Sequence, residues 1–168
     1  MSAVLEMSSV EKFSSASAVT QPLTVIIAGN PNAGKTSLFN ALTGLRQKVA
    51  NYPGVTVESK SGEWAIAEDV PAARLVDLPG LYSLDPTSLD EKIASDLLLN
   101  RARVKADAII IVVDATNLVR NLYLAMQLIE TGQPIVIALT MFDLAERNKL
   151  NISVERLSAG LVSPWCRW

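Results

Sequence analysis

From residue 21 onward, continuous apolar runs alternate with amphipathic ones. "LTVIIA" reads as a buried strand, "KTSLFNALTG" as a helix closed by Gly44, and "NYPGVTVE" as a turn-rich loop. That loop leads into "VESKSGEWAIA", whose alternating apolar and polar positions suit an edge strand. "ARLVDLPG" is a short strand ending in a tight turn, and "SLDEKIASDLLL" opens with Ser88 and Glu91 in capping-box spacing before a helical apolar stripe. "ADAIIIVVD" and "PIVIALT" are two further apolar strands. Between them "NLVRNLYLAMQLIETG" places Leu118, Leu122, Ala125, Met126 and Ile129 on one helix face and stops at Gly132. Strands apolar on both faces need helices on both sides. The pattern therefore predicts an α/β fold: a mostly parallel, doubly wound sheet with one antiparallel edge strand, flanked by helices, with ligands at the carboxyl ends of the strands.

Composition narrows the function. A chain of 168 residues is sized for one domain. With 49% hydrophobic residues, 19% charged residues and a formal net charge of -2, it has neither a nucleic-acid footprint nor a polybasic membrane patch. There is no histidine, and Cys166 is the only cysteine, so disulfides, zinc ligand sets and histidine-dependent nucleophilic catalysis are excluded and the compartment reads as reducing and cytosolic. The longest apolar run, around residues 106–113, falls well short of the roughly 18 to 20 residues that span a bilayer. Residues 1–20 are rich in Ser, Ala and Val but are broken by Glu6, Glu11 and Lys12, which predicts a disordered leader and no signal peptide.

The candidate chemistry starts at "GNPNAGKT". Gly29, Gly34, Lys35 and Thr36 fit G-x-x-x-x-G-K-[ST] between a strand and a helix, with Asn30, Pro31, Asn32 and Ala33 filling the loop and Ser37 following it. Glycines let successive N–H groups turn toward a phosphate chain and the helix N-terminus favours the anion. Lys35 reaches the β- and γ-phosphates, and Thr36 ligates magnesium. The loop is thus predicted to hold a nucleoside triphosphate. Asp77 and Gly80, in "DLPG", stand where magnesium and the γ-phosphate would be met, although the same four residues also make an ordinary turn. Thr56, in "NYPGVT", is a candidate second magnesium ligand. Arg46 and Lys48 flank this segment and read as solvated charge.

Together "GNPNAGKTSLFNALTG", "NYPGVTVESKSGEW", "DLPGLYSL", "SLDEKIASDLLL" and "VVDATNLVRNLYLAMQLIETGQPIVIAL" resemble the cytosolic G domain of the FeoB family of bacterial ferrous-iron transporters. The resemblance spans about residues 23–160 and implies a P-loop GTPase (Ras-like) fold with GTP/GDP and Mg2+ as cofactors. It further implies a slow GTPase that regulates a longer transporter at the cytoplasmic face of the inner membrane, with that transporter's transmembrane region as partner and a G-domain homo-oligomer as a further association. By the same resemblance Lys35 and Gly34 cradle phosphate, Thr36 and Thr56 bind magnesium, and Asp77 and Gly80 sense the γ-phosphate. Asn32 matches an asparagine that helps hold potassium, with backbone carbonyls around Ala50 and Tyr52; its other reading is a turn-stabilising residue. The residue after Gly80, where many GTPases carry a water-orienting glutamine, is Leu81.

Two departures stand out. The family's N-x-x-D base motif is "TMFD" here: Asp143 remains to accept from guanine, and Thr140 replaces the asparagine, which predicts weaker affinity and a narrower guanine preference. The tail "LVSPWCRW", with two of the three tryptophans, stands where a sixth strand and a base-holding loop are expected, and reads as a frameshifted end. Ser158 and Ala159 read as helix surface, not as the last base-contacting motif. The expected organisation is a leader over 1–20, an incomplete G domain over 21–160 and an atypical tail over 161–168. Alternatives are a soluble Era- or Der-like GTPase in ribosome assembly, or a truncated product that binds nucleotide weakly and has no transport role.

Overall fold

The computed structural model describes residues 22–44, 48–51, 58–67, 70–99 and 106–161. The expected leader, Arg46, Tyr52, Thr56 and the tail from residue 162, Cys166 included, lie outside the described residues. The elements run β1 (Thr24–Gly29), α1 (Lys35–Thr43), β2 (Lys48–Asn51), β3 (Glu58–Trp64), β4 (Ala73–Asp77), α2 (Leu89–Leu98), β5 (Ala108–Asp114), a 3₁₀ turn (Ala115–Asn117), α3 (Leu118–Ile129), β6 (Ile135–Thr140), α4 (Phe142–Arg147) and α5 (Val154–Leu161).

The six strands form one sheet in the order β2-β3-β4-β1-β5-β6. β1 pairs parallel with β4 on one side and β5 on the other, and β5 pairs parallel with β6. The chain's path therefore reverses direction across β1, which opens a crevice at the carboxyl end of that strand. Alternate residues of these strands feed two cores. Ile26, Ala28, Val76, Ile109, Ile111 and Ile137 pack with α2 and α3 through Leu97, Leu98, Leu124 and Leu128, while Val25, Ile27, Leu75, Ile110 and Val112 pack with Phe39 of α1. Cover on both faces accounts for the continuous apolar runs.

Four details differ from the pattern-based expectation. Lys48–Asn51, where the pattern predicts no strand, forms β2, a four-residue strand whose pairing with β3 makes it the sheet edge. The single reversed strand, β3, consequently sits one position in from that edge, antiparallel to both β2 and β4. On α3 the buried stripe is Asn121, Leu124, Ala125 and Leu128, and Met126 is 55% exposed. Leu118, Leu122 and Ile129 of the expected face pack partly buried beside it, and Asn121, a polar residue invisible to a hydrophobic pattern, joins it with its amide satisfied: Oδ1 accepts from the Asp114 N–H and Nδ2 donates to the Asn117 carbonyl. At α2 the Glu91 N–H donates to Ser88 Oγ as the capping box requires, but the Glu91 carboxylate accepts from the N–H and hydroxyl of Thr87, one residue earlier than the motif predicts.

Candidate functional site

The loop from Gly29 to Thr36 occupies the crevice at the end of β1. Gly29 ends the strand against β5, where a Cβ would stand 2.5 Å from the Val112 carbonyl oxygen, so no side chain fits. Asn32 is left-handed (φ 62) and exposed at the loop's outer turn. Gly34 is also left-handed (φ 92) and forms the N-cap of α1, a conformation that disfavours any Cβ. No side chain caps α1 and its first turn carries no acidic residue, so this helix start presents unneutralised positive dipole to the crevice. Ala33 is buried beneath the loop, and Thr36 and Ser37 are exposed on the first turn of α1.

Lys35 is only 8% exposed, and its ammonium donates to the Asn30 carbonyl at 2.9 Å. Burial holds its pKa below the ordinary lysine value, and the nearby Asp77 carboxylate opposes that shift. Asp77 ends β4 beside β1. Its burial raises the carboxyl above the usual range, against the pull of Lys35, Lys60 and a hydrogen bond from the Thr36 side chain. Asp77 Oδ1 is buried without a hydrogen-bond partner, and so is Asn30 Oδ1, while Asn30 Nδ2 donates to the Arg120 carbonyl at 3.4 Å. Orphaned buried acceptors are costly unless a ligand or ion satisfies them. A carboxylate oxygen left free beside a threonine hydroxyl matches the protein's share of a magnesium site, where the remaining ligands are water and phosphate.

The turn after β4 is tied to the loop. The Leu78 N–H donates to the Ile27 carbonyl and the Leu81 N–H to the Gly29 carbonyl, both at 3.1 Å. Gly80 lies so close to Pro31 that a Cβ would meet its ring at 2.8 Å. Leu81 is wholly buried in the α2–α3 core, so its side chain points away from the loop. Beyond it, Arg120 stacks over the Tyr82 ring at 4.1 Å from the centroid.

The far wall is built by β5 and β6. Thr140 ends β6, and its hydroxyl lies 2.7 Å from the Ala33 carbonyl and 3.2 Å from that of Val113. Asp143 is exposed in the first turn of α4, after Met141 in a left-handed conformation. Asp114 closes β5 by accepting from the N–H and hydroxyl of Thr116, each at 2.7 Å.

The structure thus brings together Gly29, Asn30, Pro31, Ala33, Gly34, Lys35, Thr36, Asp77, Gly80 and Thr140. Asn32, Ser37 and Asp143 lie at the exposed margin. Ala50 falls in β2, paired with Ser59. A threonine in place of the family's asparagine left a bond to the base or to the phosphate loop open, and in the structure its hydroxyl meets the Ala33 carbonyl of that loop.

This sheet order, with a glycine-rich loop between the central strand and α1, defines a P-loop GTPase G domain. The family model for ferrous iron transport protein B matches residues 23–167. The Fe(2+) transporter FeoB of Salmonella typhimurium is 51% identical over 146 residues, covering 84% of this chain and 18% of the relative; that of Escherichia coli K12 matches to the same extent. The crystal structure of the G domain of the T. maritima FeoB iron transporter superposes with a TM-score of 0.72 at 44% identity, covering 84% of this chain and 83% of that one. A mutant S. thermophilus NFeoB bound to mGDP gives a TM-score of 0.72 at 50% identity, covering 83% and 51%. The chain belongs to the ferrous iron transport protein B (FeoB) family and corresponds to its N-terminal G domain, which sets aside the Era- and Der-like alternative. It spans under a fifth of the length of the curated relatives it matches. No helix among the described residues is long and apolar enough to cross a membrane.

Proposed function

We propose that this chain binds GDP and GTP with magnesium at the Gly29–Thr36 loop and hydrolyses GTP slowly, as the regulatory domain of a ferrous-iron transporter. The observation that carries this reading is the buried Lys35 ammonium at an uncapped helix start, facing a carboxylate with one unpartnered oxygen. Lys35 would exchange the Asn30 carbonyl for the β- and γ-phosphates, with the loop N–H groups and the α1 dipole supplying the remaining positive field. Thr36 and Asp77 would hold magnesium, with Thr56 as a further ligand, and a bound ion there would supply neutralisation of the charge that builds on the phosphate oxygens. Gly80 would meet the γ-phosphate, Asn32 a potassium ion, and Asp143 the N1 and N2 donors of guanine.

In hydrolysis, water attacks the γ-phosphorus, the bond to the β–γ bridging oxygen breaks, and GDP and phosphate leave. The buried Leu81 side chain cannot orient that water. Positioning and charge neutralisation are left to lower the barrier, which fits a low intrinsic rate. At full length the partner would be the transporter's own transmembrane region, with this domain on the cytoplasmic face and able to self-associate.

Titration of the purified chain with GDP, GTP and ATP in magnesium, followed by phosphate release, tests the reading. GTP should bind more tightly than ATP, because guanine presents two donors to the Asp143 carboxylate whereas adenine presents an acceptor there. Equal affinity for both would sink the guanine assignment, and absence of binding at millimolar nucleotide would sink the site.

A further inference from the structure

Two polar side chains that the nucleotide reading leaves unused, Asp114 and Asn121, hold a single joint. Asp114 ends β5 in register with Thr140, the last residue of β6, so the two strands leave the sheet side by side. β5 runs into the 3₁₀ turn and β6 toward α4, and the turn and the helix lie against each other. Ala115 of the turn and Ala145 of α4, both buried, belong to one core, with Phe142 packed on it. α4 has six residues and no side-chain cap, too little to fix its own place, so its seat is this contact. The turn in contrast is pinned at both ends. Asp114 Oδ1 accepts from the N–H and the hydroxyl of Thr116, each at 2.7 Å. Asn121, buried on α3, accepts from the Asp114 N–H at 3.3 Å and donates to the Asn117 carbonyl at 2.9 Å. A buried amide satisfied on both sides holds the backbone it bridges in one arrangement.

We propose that Asp114 and Asn121 are positioning residues for the base site: they fix the 3₁₀ turn, the turn seats α4, and α4 carries Asp143 in its first turn. Asp143 is exposed, so its aim follows the helix that bears it. Two donors on the guanine edge must meet one carboxylate, and hydrogen bonds weaken steeply as they leave alignment. A small rotation of α4 therefore costs base binding while the phosphate loop keeps its shape. The inference rests on the guanine reading of Asp143 above, and its test keeps the two apart.

The full chain and its Asp114→Ala, Asp114→Asn, Asn121→Leu and Asp143→Ala variants are titrated with GDP and with inorganic pyrophosphate, in magnesium. Asp114→Ala and Asn121→Leu should weaken GDP about fivefold or more, with pyrophosphate held within about twofold, as the fraction of chains with Asp143 correctly aimed falls. Asp114→Asn removes the same charge but keeps an oxygen for Thr116, and should bind GDP within about twofold of wild type. In the Asp143→Ala background, Asp114→Ala should cost no further GDP affinity, because it acts through the residue already lost. In the nucleotide-free chain Asp114→Ala should shift the amide resonances of Met141, Phe142 and Asp143 and leave those of Gly34 and Lys35 in place. Equal losses for GDP and pyrophosphate, full additivity with Asp143→Ala, or α4 resonances that stay put would each overturn the proposal. So would Asp114→Asn as damaged as Asp114→Ala, since the effect would then be one of charge. If Asp114→Ala does not fold, Thr116→Val, which removes one of the two bonds to Asp114, is read in its place by the same criteria. Loss of GDP affinity in Asp143→Ala with none in Asp114→Ala or Asn121→Leu overturns this proposal alone. Unchanged GDP affinity in Asp143→Ala overturns the guanine reading and the base-site role with it.

Discussion

Lys35 and Asp77 are two opposite charges that burial penalises separately and that each other's presence partly relieves. In the nucleotide-free chain Asp77, held above its ordinary value of 3.8, makes a contribution to stability that is greatest below that value and is lost as pH rises through the folded-state pKa. Asp77→Asn should therefore be more stable than wild type without nucleotide, by a margin that grows as pH is raised from about 4. The same variant should bind GTP less tightly with magnesium present and show little dependence on the ion. Urea midpoints across pH and titrations with and without magnesium read the two effects, and a margin that shrinks with rising pH would contradict the burial argument. Lys35→Ala removes the one buried cation of the loop and should weaken di- and triphosphate binding by more than about tenfold, some 1.4 kcal/mol. A smaller loss would show that the loop's N–H groups suffice. Asn32 is exposed in a left-handed turn, a geometry that suits either a cation ligand or a turn residue. Faster phosphate release in potassium than in sodium, erased by Asn32→Ala, would select the first; equal rates would return Asn32 to the turn.

At the scale of elements, closeness of backbone governs the site more than any side chain does. Gly80 rests on Pro31 and Gly29 on Val112 at distances no Cβ allows, so Gly80→Ala must lift the turn after β4 off the loop. It should slow GTP hydrolysis while leaving GDP affinity nearly unchanged, since GDP offers no γ-phosphate for that turn to meet; equal loss for both would mean the variant damages the loop itself. Helix α2 starts on Ser88, and Ser88→Ala should cost about 1 kcal/mol as an N-cap loss, read by denaturant midpoints. Hydrogen bonds from Thr87 hold the Glu91 carboxyl below its ordinary 4.5, so this support is present above that pH and is lost as pH falls through the folded-state value. The strands β1, β4, β5 and β6 and helices α1 and α2 were legible in the sequence because their apolar residues carry both the period and the burial. β2 was not, because a four-residue strand exists only through its ladder to β3 and has no pattern of its own. The expected face of α3 packs on the core through Ala125, Leu118, Leu122 and Ile129, but Met126 is exposed and burial centres on Leu124 and Leu128, with Asn121 added through hydrogen bonds that hydrophobicity does not encode. The phosphate loop was fully legible as a motif, whereas the bond from Thr140 to Ala33, between residues 107 apart, is a product of the folded sheet.

For the molecule as a whole, the phosphate loop is joined to nearly every part of the sheet that surrounds it. Gly29 closes β1 against β5, Leu81 ties the turn after β4 back to Gly29, and Thr140 ties the end of β6 to Ala33. A ligand that orders this loop thereby acts on the carboxyl ends of β1, β4, β5 and β6 together, and its binding energy should appear as global stability. Ligand that binds only the folded chain, present at a hundred times its dissociation constant, adds about 2.7 kcal/mol. For a domain of this size that corresponds to a rise in melting temperature of roughly 5 to 10 °C. GDP with magnesium should therefore produce a single, shifted unfolding transition, and Lys35→Ala should lose the shift at the same nucleotide concentration. Helix α5 provides an internal comparison, since it has no fully buried residue and touches the core only through the partly buried Val154, Leu157 and Leu161. Leu124→Ala, in the centre of that core, should cost about 2 to 5 kcal/mol, while Leu157→Ala should cost about 1, and neither should change the size of the GDP shift. A GDP-induced shift confined to part of the transition, or one that survives in Lys35→Ala, would mean that nucleotide stabilises the chain from somewhere other than this loop.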